Sequence, residues 1–359
     1  MARLLVYPAW RDNPYINLLY LAVRGQGWDV TPTIDLDELC FQSALLGRGD
    51  AIHLHWTQPV CQETPSAIEA RARLDRLVGV LTAARERGVA LLWTVHNHLP
   101  HELLHRDLEL ELIARITALA SRVIQINAHT VEAVADAYEL PREKVVTLPH
   151  SSYRGIYPDD VTRQEARTRL GVPPTSPTIG FVGQIRPYKG IVTLLRAAAL
   201  LGDEVEDLTL LLAGSTRPEV LEQIESELPA AVRTVRHHGF VDDADLQVWF
   251  RAADVMVFPY ERVLNSGSVL LSATFGRSCV LPAEPHLEAD LGGEGWVSFY
   301  PTDADPAAAL ATTARQALLS ARDDGRAAEQ FAARYTPYLM SRDYAAILAS
   351  VTTSGGLAA

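Results

Sequence analysis

Thr178-Ile-Gly-Phe-Val-Gly-Gln-Ile-Arg-Pro-Tyr-Lys-Gly190 decides how this chain folds. The β-branched and aromatic run 178–182 predicts a strand, Gly183 permits a tight turn, and apolar residues at helical spacing over 191–201 predict a helix that opens at Gly190. Arg186 and Lys189 then fall on the loop at the carboxyl end of the strand. In open α/β sheets ligands bind at that edge, and a helix start there offers N–H groups and a favourable dipole to an anion. Composition singles out Lys189, because the chain has two lysines, at 144 and 189, against thirty arginines. Arginine presents a broad planar fork and lysine a compact point charge, so a site that fits one ammonium beside a phosphate does not exchange them freely. Chance placement of one lysine is the plain alternative, and the surrounding sequence has to decide.

Outward from this stretch the chain alternates short apolar runs with helix-length segments. Runs at 3–7, 51–56, 90–95, 123–126 and 144–148 read as strands, and 66–87 and 103–120 as helices. Such alternation predicts parallel sheet covered on both faces. The scheme repeats from Thr178. Between the halves, Pro149-His-Ser-Ser-Tyr-Arg-Gly-Ile-Tyr-Pro158 is polar, aromatic and bounded by prolines, which predicts a linker, followed by a short helix around 163–170. At 359 residues the chain exceeds a usual single core, so two domains are expected.

The loop around Lys189 resembles the donor-phosphate loop of GT-B glycosyltransferases, in particular glycosyltransferase family 4 and its relatives. In that family a glycine, a basic residue and a Lys-Gly pair grip the diphosphate of a nucleotide sugar. The resemblance continues, in family order, through Leu210-Leu-Leu-Ala-Gly214, Gly239-Phe-Val-Asp-Asp243 and Ala252-Ala-Asp-Val-Met-Val-Phe-Pro259. It implies two Rossmann-like parallel-sheet domains facing a central cleft. An acceptor-binding domain would span 1–155, joined by a C-terminal crossover helix at 336–359, and a nucleotide-sugar-binding domain would span 156–335.

Two departures stand out. The family's basic residue follows the turn glycine directly, whereas here Gln184 holds that place and Arg186 comes later. The family also carries two glutamates eight residues apart after the proline, the second contacting the donor ribose. Here Leu271 or Ser272 stands where the second belongs, and Glu261 is out of register for the first. Asn265-Ser-Gly-Ser268 precedes an apolar run instead, so Ser266 or Ser268 can cap a helix whose first N–H groups point at the ligand. An ordinary N-cap with no ligand role is the alternative. The implied donor set is Gly183, Gln184, Arg186, Lys189, Gly214, Glu261, Asn265, Ser266, Gly267 and Ser268, with the base near Phe240 and Val241.

The acceptor is expected on the first half. Pro8-Ala-Trp-Arg-Asp-Asn-Pro-Tyr15 follows the first strand, and aromatic faces suit the apolar face of a sugar, so Trp10, Asn13 and Tyr15 are candidates together with Asn97. Packing beneath a helix start is the competing reading. His96, in Thr94-Val-His-Asn-His-Leu-Pro-His-Glu102, ends a strand at the ligand edge and matches a histidine that relatives place beside the donor sugar.

Two His-x-His pairs, His53 with His55 and His96 with His98, alternate on one strand face if the second strand continues that far. Zinc wants three or four ligands and no third declares itself at diagnostic spacing, so no metal is expected, and no cofactor beyond the nucleotide sugar as co-substrate. The formal charge of −12 argues against a nucleic-acid partner, which needs a basic footprint. Cys40, Cys61 and Cys279 are few and odd in number, which points to a reducing, cytoplasmic setting. No run of eighteen apolar residues spans a membrane, and 1–7 is too short for a signal segment. Peripheral membrane association stays open, although no basic cluster precedes residue 160.

The function expected from the resemblance is transfer of a hexosyl group from a nucleotide-diphosphate sugar to a hydroxyl acceptor, with retention and onto a soluble small molecule or saccharide. An inverting transferase acting on a lipid-linked saccharide is one alternative, with Asp12, His96 or Glu102 as general base. A nucleotide-sugar 2-epimerase is another, and a non-catalytic nucleotide-sugar-binding module a third. The absence of a Gly-x-Gly-x-x-Gly after these strands argues against a dinucleotide dehydrogenase.

Overall fold

The computed structural model describes residues 1–353; the last part of the expected crossover helix, 354–359, lies outside the described residues. The chain divides into two compact units, Met1–Ser151 with Pro337–Ala359, and Ser152–Thr336.

In the first unit six parallel strands, β1 (Arg3–Tyr7), β2 (Asp29–Pro32), β3 (Ala51–Leu54), β4 (Ala90–Val95), β5 (Arg122–Gln125) and β6 (Val145–Thr147), stand in the order β2-β1-β3-β4-β5-β6. The inner strands β3 and β4 are buried along their whole length, which is why they read as near-continuous apolar runs interrupted only by His53 and Thr94. Strand β2 has no such run. It is an edge strand, half exposed, and carries Asp29, Thr31 and Pro32, so periodicity gives no sign of it. The strand expected over 51–56 ends at Leu54, and β4 ends at Val95, so His96 and His98 do not alternate on one strand. The helix Pro337–Thr352 belongs to this unit and packs on the helices Pro14–Leu19 and Leu21–Gly25.

The second unit holds β7 (Thr178–Val182), β8 (Thr209–Ala213), β9 (Arg233–His237), β10 (Val255–Val257), β11 (Ser278–Pro282) and β12 (Val297–Tyr300), all parallel, in the order β12-β11-β10-β7-β8-β9. It begins at Ser152 because residues 152 and 153 are tied into it. The Ser152 hydroxyl donates to the Ala332 carbonyl at 2.8 Å, and the Tyr153 N–H donates to Thr274 Oγ1 at 2.9 Å. The helix Arg163–Leu170 starts with a full capping box, Thr162 and Glu165 satisfying each other's backbone N–H groups. From it the buried Arg167 guanidinium donates to the Asp254 carboxylate at 2.9 Å, and the same carboxylate accepts the Thr178 N–H at 2.9 Å. This bridge pins the starts of β7 and β10 side by side.

Strand order locates the ligand edges. In each open sheet the order reverses once, between β1 and β3 in the first unit and between β7 and β10 in the second, and the loops that leave such a neighbouring pair splay apart to form a crevice. The loops after β7 and β10 are 183–190 and 258–266. Those after β1 and β3, with the neighbouring loop after β4, carry Trp10, His55, Trp56 and His96.

Candidate active site

The second-unit crevice is built from backbone held too close for side chains. A Cβ on Gly190, where φ is +67°, would lie 1.8 Å from the Pro259 carbonyl oxygen, and one on Gly214, where φ is +150°, would lie 1.7 Å from that of Gly183. Only glycine permits these approaches. The loops after β7 and β10 are further stitched by the Glu261 N–H, which donates to the Tyr188 carbonyl at 3.0 Å. Residues Pro187–Lys189 form a turn of 3-10 helix, and the α-helix follows over Ile191–Gly202, so Gly190 is the left-handed hinge between them.

Lys189 stands in the middle of this frame. Its Nζ lies 4.1 Å from the centre of the Tyr260 ring and 5.2 Å from that of Tyr188. No carboxylate pairs with it among the described residues. Burial pushes its pKa down to about 8, because the cation has lost water and the ring faces replace little of it. Arg186 is differently employed: its Nη1 donates to the Ile185 and Ser215 carbonyls at 2.8 and 2.9 Å, which fastens the loop after β7 to the loop after β8.

The serine turn corrects the capping expectation. Ser266 occupies the N-cap position of the helix Gly267–Thr274, yet its hydroxyl caps nothing and lies 2.9 Å from the Tyr260 hydroxyl. Ser268 is inside the first turn, its Oγ 3.1 Å from where a Cβ on Gly183 would sit, and so faces the glycine turn after β7. The helix N–H groups thus keep no side-chain cap from Ser266. Gln184 and Glu261 are exposed, and Asn265 and Gly267 are half-buried between β10 and that helix. Phe240 is 72% exposed while Val241 is buried in the core, so of the two residues expected near the base only Phe240 offers its side chain. Tyr260 was not singled out from sequence; an aromatic directly after Phe258-Pro259, just past the end of β10, was the available signal.

In the first unit, His96 caps the end of β4 and stacks on Trp56, with ring centres 4.0 Å apart and planes 16° from parallel. The Trp10 ring centre lies 5.1 Å from that of Trp56, with the planes tilted by 60°, and Trp56, His96 and Asn97 line one small recess. Two acceptor candidates have other work. Tyr15 is 4% exposed and its ring packs edge-on against His96 at 5.3 Å, so it cannot offer an open face to a sugar. The Asn13 side chain accepts the Tyr15 N–H at 3.0 Å, capping the helix Pro14–Leu19.

The two His-x-His pairs also separate. His98 donates outward to Asp136 at 2.6 Å, whereas His53 and His55 are buried beneath His96. His55 Nδ1 lies 2.9 Å from His96 Nε2, and the Tyr20 hydroxyl bridges His53 Nδ1 and His55 Nε2 at 2.6 and 2.7 Å. Burial, with the neighbouring rings, holds the pKa of all three histidines well below the ordinary value, so they are neutral at pH 7. Among the described residues no cluster of three or more His, Cys, Asp or Glu side chains is arranged to hold a metal ion.

These features agree with what the chain is similar to. Residues 176–318 match the family described as "Glycosyl transferases group 1". A GDP-mannose:glycolipid 4-beta-D-mannosyltransferase of Xanthomonas campestris pv. campestris is 29% identical over 306 residues, covering 84% of this chain and 79% of that protein. A D-inositol 3-phosphate glycosyltransferase of Streptomyces avermitilis is 33% identical over 238 residues, covering 61% of this chain and 49% of that protein. Among solved structures, sucrose-phosphate synthase from Thermosynechococcus elongatus superposes with a TM-score of 0.76 at 16% identity, covering 99% of this chain and 100% of that one. Anabaena Alr3699/HepE in complex with UDP-glucose superposes with a TM-score of 0.72 at 14% identity, covering 98% and 100%. The chain has the GT-B fold and is a glycosyltransferase, and residues 176–318 of its second unit are similar to the group 1 glycosyl transferases.

Proposed function

We propose that the chain transfers a hexosyl group from a nucleotide-diphosphate sugar to a hydroxyl acceptor. The observation that carries this is the Lys189 ammonium, buried at the sheet's reversal point, seated on an aromatic face and without a carboxylate partner among the described residues. An unpaired buried cation is costly unless an anion arrives, and the departing nucleoside diphosphate is the group on which charge develops during glycosyl transfer. The helix starts at Ile191 and Gly267 add N–H donors to the same crevice. Anabaena Alr3699/HepE, which shares the fold, was solved with UDP-glucose, and the Xanthomonas relative is named for GDP-mannose; both fit a diphosphate donor here. No step in this scheme calls for a metal ion: Lys189 and the helix N–H groups take up the leaving group's charge.

Retention follows if the leaving phosphate takes the acceptor's proton, a route that needs no strong side-chain base. Inversion onto a glycolipid is the second reading. It is favoured by the relative that spans most of this chain, whose name specifies a β-linkage on a glycolipid, and by Leu271 and Ser272 at the place of the family's second glutamate. Among the described residues no helix is long and apolar enough to cross a membrane, so a lipid-linked acceptor would be met at a surface.

The test is nucleoside diphosphate release from GDP-mannose and UDP-glucose, with and without saccharide and glycolipid acceptors. Acceptor-dependent release marks a transferase, isomerisation of the sugar an epimerase, and binding without turnover a module. The one-bond carbon–proton coupling at the new anomeric centre then tells retention from inversion.

A further inference from the structure

Beneath His96 lies a chain of hydrogen bonds that joins the helix Pro337–Thr352, the helix junction at Tyr20, and strands β3 and β4 with the loops that follow them. The Tyr344 hydroxyl, from the helix Pro337–Thr352, and the Tyr20 hydroxyl both face His53 Nδ1, at 2.9 and 2.6 Å. His53 Nε2 faces Thr94 Oγ1 at 2.8 Å, Tyr20 also faces His55 Nε2 at 2.7 Å, and His55 Nδ1 faces His96 Nε2 at 2.9 Å. His53, His55, Tyr20, Tyr344 and Thr94 are all buried, so each polar atom needs a buried partner; the two phenols also pair with each other, and Thr94 also faces Tyr15.

We propose that Tyr20 and His55 are positioning residues that lock His96 in a single neutral tautomer, with Nε2 accepting from His55 and the proton on Nδ1. The inference rests on the reading of His96 as a residue of the transfer site and deepens it. Proton bookkeeping gives the direction. A ring nitrogen with a lone pair accepts one hydroxyl, yet His53 Nδ1 has two at hydrogen-bond distance. Both contacts are satisfied when Nδ1 carries the proton and the two phenol oxygens accept it, the Tyr344 hydroxyl in turn donating to the Tyr20 oxygen, with which it is hydrogen-bonded. His53 Nε2 then accepts from the Thr94 hydroxyl. The Tyr20 proton is left for His55 Nε2, so neutral His55 carries its own on Nδ1 and donates to His96 Nε2. Neutral His96 is left with Nδ1–H.

Tyr344 therefore sets the polarity. Without it a single hydroxyl would face His53 Nδ1, and the chain could run in either sense. The consequence reaches the reaction, because an imidazole fixed as a donor at Nδ1 meets a hydroxyl oxygen, and the reversed tautomer meets a hydroxyl proton. The depressed basicity of all three rings agrees with a neutral chain.

The experiment is nitrogen-15 NMR of the full chain labelled at histidine, with the His96 ring assigned by its loss in His96→Ala. Wild type should show the Nδ1–H tautomer, whereas a free histidine carries its proton mainly on Nε2. Tyr20→Phe should shift His96 toward Nε2–H, and Tyr344→Phe should give a mixture. With GDP-mannose or UDP-glucose as donor, Tyr20→Phe should lower kcat by roughly tenfold and leave KM for the donor within about twofold. His55→Asn, whose amide nitrogen stands in for Nδ1, should recover more activity than His55→Leu. An Nε2–H wild type, or a tautomer unmoved in Tyr20→Phe, overturns the proposal whatever the kinetics show. A wild-type rate in His96→Ala would instead strike the site reading itself, so the two failures are distinguishable. Should Tyr20→Phe unfold, Tyr344→Phe and His55→Asn carry the same spectroscopic test.

Discussion

Lys189 is held at a pKa of about 8, against the ordinary 10.5, because its surroundings remove water and return no carboxylate. Two consequences have opposite signs. Without ligand, the unfolded chain binds a proton that the folded chain has lost between pH 8 and 10.5, so folding stability rises with pH across that window and the burial cost is fully present below it. Lys189→Met should thus be more stable than wild type at pH 7 in urea unfolding, and the gap should close toward pH 10.5. Ligand binding runs the other way. If Lys189 holds the diphosphate as proposed, binding needs the ammonium, so affinity should be flat below pH 8 and weaken above it, by up to about tenfold per pH unit, with proton uptake visible in titration calorimetry. At Gly190 the expected outcome is structural. Gly190→Ala places a methyl against the Pro259 carbonyl at a positive φ, and should lower stability by about 1–3 kcal/mol or more, read as a fall in the urea midpoint. The importance of Lys189 was legible because one compact cation stood in an arginine-rich chain. Its seat on Tyr260 was not, since the two residues lie far apart in sequence and only the β7–β10 pairing brings them together.

At the scale of elements, what could be read from sequence followed burial. Strands β1, β4 and β7 and the helices Ala67–Glu86 and Arg163–Leu170 lie where apolar spacing put them, because parallel sheet and its covering helices write continuous patterns. Edge strand β2 and the true role of Ser266 left no such mark: the first is polar, and the second depends on a competing tyrosine hydroxyl. Ser266→Ala should therefore not show the ~1 kcal/mol loss of a capped helix, and should act instead through Tyr260, loosening the ring on which Lys189 rests. Fluorescence-monitored unfolding of that variant decides it. The buried histidine group makes a further claim about the first unit. Its folded pKa values are depressed, so the unfolded chain takes up protons first as pH falls below the ordinary 6.5, and stability present above that pH is lost below it. The urea midpoint should drop between pH 7.5 and 5.5, and His53→Gln should blunt the drop.

At the scale of the whole chain, two six-stranded parallel sheets of different strand order each present one reversal point, and the chemistry-bearing residues collect at or beside it. The alternation of strands and helices made this architecture legible, and the phosphate loop pointed to the second unit's crevice. The paired tyrosines behind His96 were not legible, because Tyr344 comes from a helix remote in sequence from the strands it supports. The proposed function assigns Lys189 to the nucleoside diphosphate and His96 to the sugar. His96→Ala should therefore lose transfer and keep its affinity for free nucleoside diphosphate. Calorimetric titration of GDP and UDP into wild type, Lys189→Ala and His96→Ala at pH 7 is the most direct measurement. The expected result is binding to wild type and His96→Ala with equal affinity, and a loss of roughly tenfold or more in a folded Lys189→Ala. Equal affinity of a nucleotide-binding wild type and Lys189→Ala would contradict the placement of the donor's diphosphate on this loop.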